Sequence, residues 1–83
     1  MAKTYFPNDS TVIYVNASKP HPDNTQYKIS RGIEYWGDEG FDVIKVQMVY
    51  DGVIAGRRSP SYPVGTDDHQ KVIEAINKLN GEV

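Results

Sequence analysis

Between Thr25 and Ser59 three β-rich runs are separated by two glycine-bearing turns, a pattern that restricts the chain to an antiparallel sheet. From Thr25 to Trp36, the residues Tyr27, Ile29, Ile33 and Tyr35 share one parity, while Lys28, Ser30 and Glu34 take the other. That alternation belongs to a half-buried strand. Gly37-Asp38-Glu39-Gly40 supplies turn residues before a second run, FDVIKVQMVY, over residues 41 to 50. Asp51-Gly52 ends this run. Both central residues of a type I′ turn need positive φ, so the pair marks a tight hairpin into VIAGRRS at residues 53 to 59. SPSYPVG at 59 to 65 carries two prolines and is expected to be an extended connection.

Ahead of this meander, TVIYVNA (11 to 17) reads as a short strand after the turn-like Pro7-Asn8-Asp9-Ser10, and SKPHPDN (18 to 24) reads as loop. The chain closes with a helix over about 67 to 80. Asp67 is its expected cap, Gln70 the capping-box partner, and Val72, Ile73, Ile76 and Leu79 its apolar stripe, with Lys78 in the last turn and Gly81 at the stop. Turns of natural length set a register in which Trp36 faces Phe41 across a four-residue loop, Ile33 meets Ile44, Ile29 meets Met48 and Tyr27 meets Tyr50. Beyond the second turn, Tyr50 meets Val53 and Met48 meets Ala55. All the core pairs then share one face. The expected fold is α+β: a three- to four-stranded antiparallel β-meander, about 25 to 59, packed against one C-terminal α-helix, with the first strand as an added edge.

Eighty-three residues, 39% of them hydrophobic and 24% charged, suit one domain spanning residues 1 to 83 with one modest core. A net charge of -2 gives no long-range field toward nucleic acid or acidic membranes. No cysteine is present, which removes disulfides, thiolate metal sites and cysteine nucleophiles, and leans toward the cytosol. No run approaches the roughly 18 to 20 apolar residues of a membrane span. A cytoplasmic protein without membrane association is expected.

The residues that could carry chemistry are scattered. His21 and His69 have no second ligand at metal-binding spacing within their own elements, and the serines at 10, 18, 30, 59 and 61 lie in no nucleophile-elbow motif. Asp38-Glu39 fits a solvated turn, Asp67-Asp68 fits a helix N-terminus, and no GxxxxGK[ST] loop occurs. The expectation is a protein that is not an enzyme, with no catalytic, cofactor-binding or metal residues. Arg57 is placed by the register with Arg31 on the helix-facing side, flanking Val46. Two guanidiniums there need partners. The choice lies between pairing with Asp67, Asp68 or Glu74 and forming an anion site. Arg58 is placed outward beside Lys45.

The stretch EYWGDEGF (34 to 41) sets aromatic residues around an acidic turn. A cross-strand Trp36–Phe41 pair would stabilise the hairpin by roughly 0.2 to 1 kcal/mol, yet leaves large apolar surface on the face away from the helix. Trp and Tyr anchor interfaces, and acids beside them steer toward basic partners. Tyr35, Trp36, Asp38, Glu39 and Phe41 are therefore the expected interface residues, and another protein the expected partner. The alternative is a nucleic-acid-binding module that reads through Lys28, Lys45, Gln47 and Arg58 on the exposed sheet face, against which the acidic balance argues.

Three strands followed by a helix, over residues 26 to 80, resembles in element order the sheet-type DNA-binding domains of some phage integrases and plant transcription factors. The same order and length are similar to certain small phage-encoded inhibitors of bacterial defence, including some anti-CRISPR proteins. The second resemblance implies an inhibitor or accessory protein of the phage or mobile-element type. Neither transfers any residue. Open edge strands offer a further route, a homodimer through unpaired backbone groups.

Overall fold

A computed structural model describes residues 4 to 81, apart from the side chains of Asp9 and Ser10. The ends of the expected 1 to 83 domain lie outside the described residues. Four strands, β1 (Tyr5–Asn16), β2 (Thr25–Trp36), β3 (Glu39–Tyr50) and β4 (Val53–Ala55), form one sheet in sequence order. All pairings are antiparallel, and a helix α1 (Asp68–Leu79) follows. This is the expected α+β meander with its C-terminal helix.

The two hairpins close differently from one another. Asp51 (φ 50) and Gly52 (φ 80) both take positive φ, and Tyr50↔Val53 and Met48↔Ala55 pair as the type I′ turn requires. The first turn is shorter than expected. Gly37 alone adopts positive φ (70), so Gly37-Asp38 makes a two-residue turn and Trp36 faces Glu39. The register is displaced by two residues: Tyr27↔Met48, Ile29↔Val46, Ile33↔Asp42. Because side chains alternate with a period of two, that displacement leaves every residue on its expected face.

β1 is longer than expected. Pro7-Asn8-Asp9-Ser10 is not a turn ahead of the strand but part of a bulge within it, since the register jumps between Pro7↔Gly32 and Val12↔Ser30. At this bulge a Cβ on Gly32 would lie 2.4 Å from the Phe6 carbonyl oxygen and 2.6 Å from Pro7 Cα. Only glycine lets the two backbones approach so closely.

The main core cluster lies between the sheet and the helix, while Tyr5, Lys28, Ser30 and Val49 are buried on the opposite face. Tyr27, Ile29 and Met48 meet Val72 and Ala75, with Ile13, Val15, Ile44, Val46, Ile76 and Leu79 packed around them. Asp68, Val72, Ala75, Ile76 and Leu79 fall at helical spacing on one stripe; Ala75 takes the place expected for Ile73, which is exposed. Asp67 occupies the N-cap position without a side-chain cap bond. β4 ends at Ala55, so Arg57 and Arg58 leave the sheet, and among the described residues β3 has no strand partner on that side from Glu39 to Gln47.

Candidate functional site

The helix lies against β1 and β2 and leaves the β2–β3 hairpin end uncovered. Its last turn reaches Arg31, whose Nη1 donates to the Leu79 carbonyl at 2.9 Å, and whose Nε and Nη2 donate to the Asp42 carboxylate. Arg31 is thus bound to a helix C-terminus and to an acid, rather than to Asp67, Asp68 or Glu74. The Asp42 bond holds the guanidinium above its ordinary range and Asp42 below the usual carboxylate range. An anion site at Arg31 is not what the geometry presents.

Beyond Arg31 the hairpin is uncovered on both sides. On the helix-facing side, Ile33 pairs with Asp42 instead of Ile44 and is 40% exposed; Tyr35, 46% exposed, meets the edge of Phe6 at 6.0 Å. On the opposite side Trp36 is 57% exposed and stacks on Phe41 with ring centroids 4.5 Å apart. The two are diagonal rather than facing neighbours, because Glu34 pairs with Phe41. The Trp36 indole N–H donates to Glu34 Oε1 at 2.7 Å, and Glu34 forms an ion pair with Lys45. The bond from Lys45, then that from Trp36, keeps the Glu34 carboxyl below its ordinary value. The indole is therefore held in place before any partner arrives.

Charges at this end divide into matched and unmatched. Glu34 is answered by Lys45 and Asp42 by Arg31. Asp38 and Glu39 form no ion pair among the described residues and are exposed at the turn. The five expected interface residues, Tyr35, Trp36, Asp38, Glu39 and Phe41, are thus brought together at one end. Sequence reasoning missed Phe6 and Ile33, the first because it precedes the Pro7–Ser10 stretch that reads as a turn ahead of the strand, the second because it was assigned to the core.

Of the alternative set, Lys45, Gln47 and Arg58 line one groove beside β3, and Lys28 does not. Lys28 is buried, with Tyr14 and Gln47 as its cross-strand neighbours. Lys45 serves Glu34 and lies 5.1 Å from the centroid of the Tyr5 ring, whose hydroxyl bonds Ser30 Oγ at 2.8 Å. Gln47 is half-buried. Arg58 does not project outward beside Lys45; past the end of β4 it lies over the Tyr50 ring, 5.5 Å from its centroid. Arg57 leaves the sheet as well; it lines a groove with Val46 but without Arg31. Lys45, Arg57 and Arg58 share the lining of one groove beside residues 44 to 47, without Lys28.

A buried polar cluster lies at the opposite end of the helix. Asp68, 1% exposed, accepts the Ser18 N–H at 2.8 Å, the Ser18 hydroxyl at 2.5 Å and the Tyr27 hydroxyl at 2.8 Å. The single Tyr27 proton is shared with the Ser61 carbonyl at 2.9 Å. Burial pushes the Asp68 carboxyl up, but the Ser18 and Tyr27 donors together outweigh it and leave the group below the ordinary carboxylate value. A carboxylate so stabilised is a weak base. His21 bonds the Ser61 carbonyl, 2.8 Å from its Nε2, rather than the Ser18 hydroxyl. The cluster joins the 17 to 24 loop, β2 and the helix start; Tyr62 completes it by packing on Tyr27 at 5.2 Å and His69 at 5.1 Å. Among the described residues no group of three or more His, Cys, Asp or Glu is placed to hold a metal ion, and no helix is long and apolar enough to cross a membrane. No known protein family, curated protein or solved structure matches this chain.

Proposed function

We propose that this chain is a non-enzymatic, cytoplasmic binding protein whose β2–β3 hairpin end docks on a basic, partly apolar surface of another protein. The observation that carries the reading is the exposure of Ile33, Tyr35, Trp36 and Phe41 together beside two unanswered acids, Asp38 and Glu39. Single exposed apolar residues are ordinary; a group on both faces of one hairpin end is an interface composition. Trp36 is the anchor. Its fixed orientation against Glu34 and Phe41 lowers the ordering cost of binding, and Asp38 and Glu39 steer the encounter. Action by occlusion of a host protein, as in the phage-type inhibitors that the element order resembles, is the finer form of this proposal.

Nucleic acid is the weaker partner for this surface, because Lys28 is buried and Lys45 already serves Glu34. Affinity capture from host lysate, with and without nuclease, compares wild type with Trp36→Ala and Asp38→Lys after circular dichroism confirms that both fold. A protein retained by wild type after nuclease treatment and lost with both variants is the expected result. Equal retention by all three proteins would refute the hairpin-end interface, and nuclease-sensitive capture of nucleic acid would refute the choice of partner.

A further inference from the structure

Two adjacent arginines are left without an acid. Among the described residues Arg31 is matched by Asp42, Lys45 by Glu34 and Lys71 by Asp67, whereas Arg57 and Arg58 form no ion pair and are exposed. Backbone and ring contacts set their place instead. The Arg58 N–H returns to the Ala55 carbonyl at 3.1 Å just past the end of β4, and its guanidinium rests over the Tyr50 ring. Residues 56 to 60 thereby line one wall of the groove beside residues 44 to 47, a space of about 400 Å³ whose lining holds no carboxylate.

The β3 side of the groove adds donors. Because a two-residue turn is flanked by a doubly hydrogen-bonded pair, Trp36↔Glu39 and every second pair from it turn the odd-numbered β3 residues toward β2. The N–H groups of Ile44 and Val46 therefore face the groove, and no turn or loop carbonyl among the described residues accepts them. Their own carbonyls alternate with them along the strand, which suits a ligand that carries hydroxyl groups as well as negative charge. Ser59 contributes a hydroxyl to the lining.

We propose that this groove binds a small phosphate ester, with the phosphoryl oxygens held by Arg57 and Arg58 and the hydroxyls of the ester by the edge of β3. A guanidinium presents a planar fork that fits phosphate oxygens two at a time, and the repulsion between two neighbouring guanidiniums is offset when a dianion joins them. The volume lies within the range of about 300 to 1,000 Å³ usual for small-molecule sites. A free ester is favoured over a nucleic-acid backbone because a polymer needs a track of cations. Here the neighbouring ones, Lys45 and Arg31, already serve Glu34 and Asp42. Trp36, Asp38 and Glu39 take no part in the lining, so the site is independent of the docking proposed above.

The test is an amide-shift titration of the isotope-labelled full chain with ribose 5-phosphate, with ribose and sodium chloride as controls. Saturable shifts at Ile44, Val46 and residues 56 to 59, with a Kd of about 1 mM or tighter, are the expected result, and neither control produces them. Arg57→Gln and Arg58→Gln are each expected to raise that Kd about fivefold or more. Lys78→Gln, which removes an exposed charge from the last turn of α1, leaves it unchanged, as does Trp36→Ala. The substituted side chains are all exposed, and circular dichroism checks that each variant folds. No saturation by about 10 mM, shifts confined to other residues, or an equal loss with Lys78→Gln would each overturn the site. A short oligothymidylate that binds this groove more than about tenfold tighter than ribose 5-phosphate would overturn the choice of a small ligand.

Discussion

Replacing Asp68 with alanine removes the acceptor for three donors while leaving the helix in place, and its cost follows from what is stranded. The Tyr27 hydroxyl retains the Ser61 carbonyl, but the Ser18 N–H and hydroxyl lose the carboxylate that accepts both of them. Two charge-assisted bonds at about 1.5 to 3 kcal/mol each, partly recovered by water, give a loss of roughly 3 to 5 kcal/mol. That is a large share of the ~5 to 15 kcal/mol stability of a typical domain. In urea unfolding followed by circular dichroism, with a slope of roughly 1 to 3 kcal/mol/M, the midpoint falls by about 2 M.

Asp68→Asn separates bonding from charge. Its amide nitrogen can donate to Ser18 Oγ while its oxygen accepts the Ser18 N–H and the Tyr27 hydroxyl, so the expected cost is only about 1 kcal/mol. The pH dependence follows from the lowered carboxyl. The unfolded chain takes up the proton first as pH falls, so the stabilisation is complete above the ordinary carboxylate range and is lost as pH drops through the folded value. Asp68→Asn lacks that part of the acid loss. The reasoning fails if Asp68→Ala costs less than about 1 kcal/mol, or if Asn is as damaging as Ala, since either would show that the donors were not dependent on this acceptor.

Three further outcomes are expected. Gly32→Ala forces a Cβ into the Phe6 and Pro7 backbone and should lower stability by about 1 to 3 kcal/mol in thermal or urea melts, with an unchanged melt counting against the tight β1–β2 approach. Burial first, and the bond to Asp68 second, raise the Tyr27 phenol well above its ordinary value. Above about pH 10 the unfolded chain therefore releases a proton that the fold retains, and stability falls with rising pH. Tyr27→Phe should flatten that alkaline loss in unfolding curves taken at successive pH values, at a neutral-pH cost of about 1 kcal/mol. Arg31→Met should speed amide exchange at the C-terminal end of α1 without changing it at Val72, and the difference should shrink in high salt, as expected of an exposed pair.

The sequence carries face assignments better than it carries register. Alternation from Tyr27 to Tyr35 places each side chain correctly, and Asp51-Gly52 defines its turn, because both signals depend only on neighbours. Whether GDEG makes a four- or a two-residue turn depends on which glycine takes positive φ, and nothing local decides between Gly37 and Gly40. The Pro7–Ser10 segment fails for a related reason: the same residues serve a turn or a bulge, and only pairing with Gly32 selects the bulge. At the candidate site, Trp36 and its neighbours are legible as aromatics around a turn. Phe6 is not, since it arrives from a strand whose start is hidden. Asp68 looks like a helix-dipole acid until Ser18, fifty positions earlier, comes into contact with it.

Placing the helix over only part of the strands gives the molecule the mechanics of a beam clamped at one end. The clamp ends where Arg31 ties β2 to Asp42 and to the last turn of α1. Past it, residues 32 to 36 and their β3 partners run on for about 17 Å at the usual rise per residue, braced by the leading end of β1 but by no helix. Such an overhang can twist about its long axis while the base keeps its packing. Trp36 and Phe41 can therefore tilt to suit a surface without drawing on the interactions that keep the rest folded, and the load of that adjustment falls on Arg31.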